Sequence, residues 1–592
     1  MDAPDHTQRL DDDPDAFDKS AAPTMVHSQT PSVSSNSLNK RSIEMHQEKD
    51  SSFAPRRSTE LDAKTDGIVE SSTADTTPDS DEYPSGINLV FIVVALILAI
   101  FLASLDMTIV ATAIPKITDE FGGIEDVSWY GSAFFMANGG FQSSWGKAYK
   151  YFPLKWTFLA AVFVFELGSL VCGAAPTSTA LIIGRAIAGL GAAGLGTGAY
   201  TIIAFAAPPA KRAMYTGFVG VSYGVASVLG PLLGGLFSDH ATWRWCFYMN
   251  LPIGAVSVLI VVFFFHAPAA ARPVEATWRE KMLQMDPIGV ALVMAAIICY
   301  ILCLQYAGQT EAWNSSAVIG LLVGFVLLYV AFAAWECSQG ERAMLVPRLL
   351  KVRPVGVSCA YTFFFSGSYF LIIYYLPIYF QSVNGVTPTM SGVRNLPLII
   401  GVTLSMIISG FFITRTGIAT PLKLVGAAIT VIATGLLYTF ETDTDTGKWI
   451  GYQLFGGIGW GIAYQVPIIV AQSYADPTDV STVTAMVLFF MNLGGSSFVS
   501  AGQCAFVNTM LRSLPNTAPN VDPATVVATG ATEIRRVFSS DEIPGILDAY
   551  MAGIKVAIAI AIGATGLALL TSSLSRWEKL NAEKAKEAGA AA

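Results

Sequence analysis

From residue 88 onward the chain returns repeatedly to predominantly apolar runs of about 20 residues, the length a helix needs to cross a bilayer core about 30 Å thick. Fourteen such runs can be traced, at 88–111, 128–148, 156–175, 180–206, 214–237, 244–265, 287–307, 317–337, 355–380, 394–414, 422–440, 449–472, 481–507 and 548–573. Composition agrees. Hydrophobic residues make up 53% of the 592 and charged residues only 13%, about half the share usual in a soluble domain. The expected fold class is all-α integral membrane, with fourteen transmembrane helices.

The net charge of −9 is a local property. Residues 1–87 hold 18 Asp/Glu and 8 Lys/Arg, of 44 and 35 in the whole chain, so the remainder is nearly neutral. This segment is rich in Ser, Thr, Asp and Pro and poor in aromatics. It cannot bury enough apolar surface to offset its ordering entropy and is expected to be disordered. Its first residues show no apolar signal-peptide core. Lys and Arg in short loops set orientation. With both termini cytoplasmic, the inner loops hold Lys147, Lys150, Lys155, Lys211, Arg212, Arg272, Arg279, Lys281, Arg342, Arg348, Lys351, Arg353, Arg415 and Lys423. The short outer loops hold Lys116, Arg244, Arg394 and Lys448. The sequon at Asn314 then falls outside, where glycosylation would require it.

Residues 220–235, GVSYGVASVLGPLLGG, put five glycines and a proline inside an apolar span. Such residues are poor helix formers in water. In lipid, where helices associate through close backbone approach, small residues serve packing. Gly220/Gly224 and Gly230/Gly234 are GxxxG steps, Gly235 follows, and Pro231 removes one backbone donor and can bend the helix. Enzyme motifs in the spans are decoys. Gly220-x-Ser222-x-Gly224 lacks the strand-to-helix turn and histidine partner of a nucleophile elbow. Gly189-x-Gly191-x-x-Gly194 lacks the strand of a dinucleotide fingerprint. No histidine lies within a span, no metal-ligand spacing occurs, and the seven cysteines read as small buried hydrophobes. No enzyme, cofactor or nucleic-acid partner is indicated. No phosphate-binding GxxxxGK[ST] loop is present, so an ion gradient would have to supply energy for transport.

A faint repeat relates GRAIAGLGAAGLG (184–196) to GYQLFGGIGWGIAY (451–464), eight helices apart. Repeat-built halves with a site between them characterise transporters. Here a resemblance becomes specific. GVASVLGPLLGG (224–235) resembles the fifth-helix antiporter motif of the major facilitator superfamily. LDMTIVATAIPKI (105–117) resembles the first-helix signature of its fourteen-helix drug:proton antiporters, and LIIGRAIAGLGAAG (181–194) the fourth-helix motif with its arginine. FELGSLVCGAA (165–175) and WRWCFYMNLPIG (243–254) look like fungal members, which include toxin and multidrug efflux pumps. The resemblance covers about residues 88–573. It implies two six-helix bundles, at 88–265 and 355–573, with two extra helices in a 266–354 linker, the acidic tail at 1–87 and a cytoplasmic tail at 574–592. One departure stands out. The loop GKAYKYFPLKW (146–156) has Lys150 where the family carries an aspartate. That puts the usual latch between the bundles in doubt and leaves Lys147, Lys150 and Lys155 as orientation charges.

Charges inside lipid are costly and mark function or a partner. Asp106 lies about 27 Å along the first helix at 1.5 Å per residue, a depth similar to that of Arg185 near the outer end of the fourth. The two are expected to interact, and protonation of Asp106 to loosen them. Glu166, mid-way along the third helix, is a second candidate for proton coupling. Polar candidates for a central cavity are Asn138, Gln142, Tyr374, Gln453, Gln465, Asn492 and Gln503, with Lys555 facing either a cavity or lipid. The aromatic run 361–380, carrying Tyr374, would line a cavity or face lipid, with a kink at Pro377. The expected function is proton-coupled export of a lipophilic small molecule, a secondary metabolite, toxin or xenobiotic, by a monomer working through alternating access. The plasma membrane is the expected location, with a vacuolar or vesicle membrane open. A siderophore–iron:proton symporter and a non-transporting receptor of the same fold remain alternatives.

Overall fold

Backbone polar groups in lipid have no water to bond to and must pair within their own segment. In the computed structural model each apolar run does so as helix. The structure describes residues 87–121, 127–209, 211–268, 271–529, 533–577 and 579. The acidic segment 1–86 and the end of the C-terminal tail lie outside the described residues. The long helices are α1 Ile87–Phe121, α2 Val127–Tyr151, α3 Leu154–Gly173, α4 Ser178–Ala206, α5 Arg212–His240, α6 Asn250–Phe264 and α7 Pro287–Tyr306. They continue as α8 Ser316–Gln339, α9 Arg353–Ile378, α10 Leu396–Thr416, α11 Thr420–Tyr438, α12 Thr446–Ala463, α13 Val480–Thr517 and α14 Ile543–Ser573. Short turns lead into α6 (Trp245–Tyr248) and α7 (Trp278–Gln284), and Val466–Ser473 extends α12.

Thirteen described helices are long and apolar enough to cross a membrane. α2 is the fourteenth: its 25 residues suffice, but Asn138, Gln142, Lys147 and Lys150 dilute its apolar character. Several helices overrun their apolar runs. α1 has 35 residues, so Asp106 stands just past its middle rather than near its outer end. Pro377 does not interrupt α9; the chain passes through it into a π-helical turn at Tyr379–Val383.

Helices α1 to α6 pack among themselves, α1 along α5 and α6, and α4 against α2 and α3. Helices α9 to α14 form a second group, with α9 along α13 and α14, and α12 along α10 and α11. The groups meet through α5 against α10 and α2 against α13. The hairpin of α7 and α8 straddles them, α7 touching both α2 and α13. Only 11% of the span window in α8 is buried, which puts that helix at the periphery.

The glycines of α5 explain the first of these contacts. A Cβ at Gly220 would collide with Met406 of α10, and one at Gly224 would lie 2.7 Å from Thr403 Oγ1 of the same helix. Residues four apart share a helix face, so one small-residue face presses on α10. Gly230 points elsewhere, with Thr108 of α1 where its Cβ would be, and Thr108 donates to Ala226 O at 3.1 Å. Gly234 is buried, while Gly235 has nothing within 4 Å of a Cβ. Helix α5 is therefore pressed between α1 of its own group and α10 of the other. It stays helical across Pro231.

Candidate functional site

Three glycines on α2 measure the gap between the two groups. Gly131, Gly139 and Gly146 recur at spacings of eight and seven, which keeps them on one helix face. A Cβ on Gly146 would strike Ala485 of α13 and lie 3.0 Å from Ser481 O. One on Gly139 would lie 3.9 Å from the Asn492 Cβ, and one on Gly131 would meet nothing within 4 Å. The two helices touch at the lysine-rich face of the bundle and spread apart toward the other face.

The spread encloses a cavity of about 660 Å³, within the size range of small-molecule sites. Met107, Val110 and Ile114 of α1, Phe135 and Met136 of α2, Ile297 and Ile301 of α7, and Phe370 and Phe489 give it apolar walls. Ser132, Arg185, Gln305, Tyr374, Asn492, Ser496 and Gln503 add a few polar groups. The lining runs from mid-helix to the face opposite the lysines.

The cavity separates the polar candidates. Tyr374, Asn492 and Gln503 line it; Asn138, Gln142, Gln453, Gln465 and Lys555 do not. Residue type cannot tell which way a helix turns a side chain, and four of these five are buried in packing. Gln142 donates to Thr197 at 2.6 Å and accepts from Asn492 Nδ2 at 3.3 Å, just beneath the cavity. Gln465 donates to the Tyr200 hydroxyl at 3.0 Å. Gln472, which sequence reading passed over, donates to Tyr200 O at 3.3 Å and Thr484 at 2.8 Å. These bonds form a polar seam between the groups at the cavity floor. Gln453 is fully buried with neither amide atom bonded to a described residue. Lys555 is half-buried on α14. Of the aromatic run, Phe370 and Tyr374 reach the cavity, whereas Tyr361 stacks on Phe365 inside the second group.

Asp106 and Arg185 form an ion pair with both side chains fully buried. Arg185 also donates to Tyr130 O at 2.7 Å, lies 4.5 Å from the Phe134 ring centroid, and borders the cavity. Asp106 does not line the cavity, and its Oδ1 lies 3.4 Å from the amide nitrogen of Asn250. The pair thus links the cavity wall to the interior of the first group. Gly189, Gly191 and Gly194 of the false dinucleotide motif serve this packing, pressing α4 onto Phe134, Phe165 and Ala161. Ser222 of the false nucleophile motif donates to Ile97 O at 3.2 Å.

Below the floor the lysine-rich face is shut, and the lysines there do more than orient the chain. Lys150 bonds Asp479 of the second group at 2.7 Å, and Arg348 bonds the other Asp479 oxygen at 2.7 Å. Arg348 also pairs with Glu341. Lys147, buried, donates to Gln284 at 3.1 Å and to the Glu341 carbonyl, while Lys155 caps Val262 O at 2.7 Å. A latch between the groups therefore exists, with the cation on α2 and the carboxylate beside α13. Lys150, the departure in the 146–156 loop, is itself one half of it. Asp479 was missed because nothing local marks it; its partner is 329 residues away. Burial alone would push its carboxyl up, but the bonds and charges of Lys150 and Arg348 outweigh that and hold it below the ordinary carboxylate range. Asn314 is exposed in the turn before α8, at the opposite face.

Residues 96–499 match the family described as the Major Facilitator Superfamily. The MFS-type transporter grgE of a Penicillium species is 56% identical over 514 residues, 87% of this chain and 91% of that one. The probable efflux pump gsfJ of Penicillium aethiopicum is 50% identical over 510 residues, 86% of this chain and 91% of that one. Among solved structures, the proton:xylose symporter XylE superposes with a TM-score of 0.54 at 13% identity, over 84% of this chain and 99% of that one.

Proposed function

The chain belongs to the major facilitator superfamily, and on that footing we propose that it exports a lipophilic small molecule in exchange for protons. Export is suggested by relatives described as transporters and efflux pumps. The observation that carries the coupling is the buried Asp106–Arg185 pair, of which one member borders the cavity and the other does not. A proton on Asp106 cancels its charge and frees Arg185 to turn toward the cavity. Substrate and proton then compete for one arrangement of the same arginine. Any ligand acts only through its differential affinity for the two states, and this geometry supplies such a difference.

The lysine-rich face is the cytoplasmic one in this reading, by the excess of Lys and Arg in its loops. The structure is then open outward and latched inward, with residues 88–265 and 355–573 as the rocking bundles. A mostly apolar wall with Arg185, Tyr374, Asn492 and Gln503 suits a largely apolar molecule carrying a few oxygen functions, such as a secondary metabolite. A monomer in the plasma membrane, both termini cytoplasmic, completes the proposal. Inside-out vesicles with an acidic lumen test it. A panel of lipophilic dyes and toxins should include compounds that accumulate with the gradient and leak out on adding a protonophore. No accumulation of any compound, with folded protein present, would favour a non-transporting role.

A further inference from the structure

Two sequence motifs have no place in the coupling scheme so far, FELGSLVCGAA on α3 and WRWCFYMNLPIG leading into α6. The structure brings them together. The Glu166 carboxylate occupies the space where a Cβ on Gly254 would be. One turn along α3, Ser169 accepts from Asn250 Nδ2 at 3.0 Å. A further turn along, Gly173 admits the Tyr248 ring, whose edge would lie 2.5 Å from a Cβ there. Asn250 sits at the break before α6, so its amide reaches Ser169 on one side and Asp106 on the other. Only its nitrogen is occupied: Oδ1 has no hydrogen-bond partner among the described residues.

We infer that Glu166 is a second proton-carrying carboxyl, set one helical turn from Ser169, which shares the Asn250 amide with Asp106 Oδ1, while Arg185 holds Oδ2. Both Glu166 oxygens are buried and neither has a hydrogen-bond partner among the described residues. A bare carboxylate there would be a desolvated charge without a partner, a costly state. A protonated carboxyl costs far less. The elements packed against α3 carry Tyr130, Lys147, Tyr149, Lys150 and Tyr151 on α2, Arg185 and Tyr200 on α4, and Cys246 and Tyr248 in the turn before α6; α3 itself carries Lys155 and Cys172, and Asp106 of α1 is reached through Asn250. Arg185 is already paired with Asp106, and no cation among the described residues bonds Glu166. Two carboxyls flanking the same Asn250–Ser169 contact favour a state in which they are not both charged. Glu166 therefore holds its proton while Asp106 is ionised. Protonation of Asp106 makes ionisation of Glu166 easier, and the proton that Glu166 releases leaves between α3 and α6. Protons and substrate would use different sides of Asp106.

The role in transport rests on the antiport reading; the titration does not. Purified protein in lipid is titrated while the carboxyl bands are followed by infrared difference spectroscopy. The expected result is two buried carboxyl bands: Asp106→Asn removes one, Glu166→Gln removes the other, and each substitution shifts the band that remains. Gly254→Ala keeps the carboxyl but displaces it, so it should move the Glu166 band, and Glu166→Asp should retain a band. In proton-driven transport, Glu166→Gln should shift the pH profile without abolishing accumulation. A spectrum and pH profile unchanged by both Glu166→Gln and Gly254→Ala would overturn the inference and leave antiport standing. Gradient-driven export persisting in Asp106→Asn would sink the antiport reading, with the Glu166 band still decided by the spectra.

Discussion

Asp106→Asn is expected to reduce gradient-driven accumulation to the level of vesicles lacking the protein, with the protein still folded. Asparagine keeps the shape and the contact with Asn250 but cannot ionise, so it fixes the protonated arrangement. Arg185 then keeps Tyr130 O and the Phe134 ring and loses its charge partner. The opposite truncation behaves differently. Arg185→Ala leaves a carboxylate in a fully buried site, and breaking one side of a buried pair costs about 3–5 kcal/mol. That variant should express poorly or melt early. Combining Asp106→Asn with Arg185→Ala removes the orphaned charge and should recover much of the lost stability, yet not coupling. Recovery of stability without transport separates the pair's two roles. Coupled transport in Asp106→Asn would contradict the account.

Reversing the charge at Asp479 is expected to open the lysine-rich end. Asp479→Lys would set a cation against Lys150 and Arg348, where the native side chain accepts two bonds of 2.7 Å. The Lys150 pair decides the magnitude, since both side chains are largely buried, 13% and 4% exposed, whereas Arg348 is half-exposed and screened by solvent. A charge-assisted hydrogen bond contributes about 1.5–3 kcal/mol. Its loss should shift the inward–outward ratio by roughly one to two orders of magnitude toward inward-open. A cysteine placed at Ala485, closed off in the latched state by Gly146, should then react faster with a thiol reagent applied from that face. Lys150→Asp combined with Asp479→Lys should slow it again. The sign of the pH effect also follows. A depressed carboxyl keeps the latch whole above its own range and loses it only as pH falls through that depressed value. Across about pH 5 to 8 Asp479 stays ionised, so titration of that carboxyl contributes nothing to the pH dependence of transport in that window.

The helices were legible because lipid permits so little else: uninterrupted apolar length suffices to place them, and the single helix that fails on hydropathy, α2, is one that carries cavity and latch residues. Asp106 and Arg185 could be matched by counting residues along their helices, since charges in lipid need partners. Gln142 and Gln465 were read as cavity groups but belong to the seam beneath it. Their facing depends on the rotation of α2 and α12, which an apolar pattern without a polar stripe does not define. Lys150 with Asp479 was invisible for another reason: the contact exists only once two distant halves are docked. The glycines of α5 announced close packing but not that it would be shared between α1 and α10.

The central claim is that substrate and proton are exchanged through the Asp106–Arg185 pair. The most direct measurement uses proteoliposomes with a pH indicator sealed inside and no imposed proton gradient. An outward gradient of a compound found to accumulate in vesicles should drive protons inward, acidifying the lumen. The change should vanish in Asp106→Asn. Substrate movement with no proton flux in the native protein, or an undiminished signal in Asp106→Asn, would contradict the account.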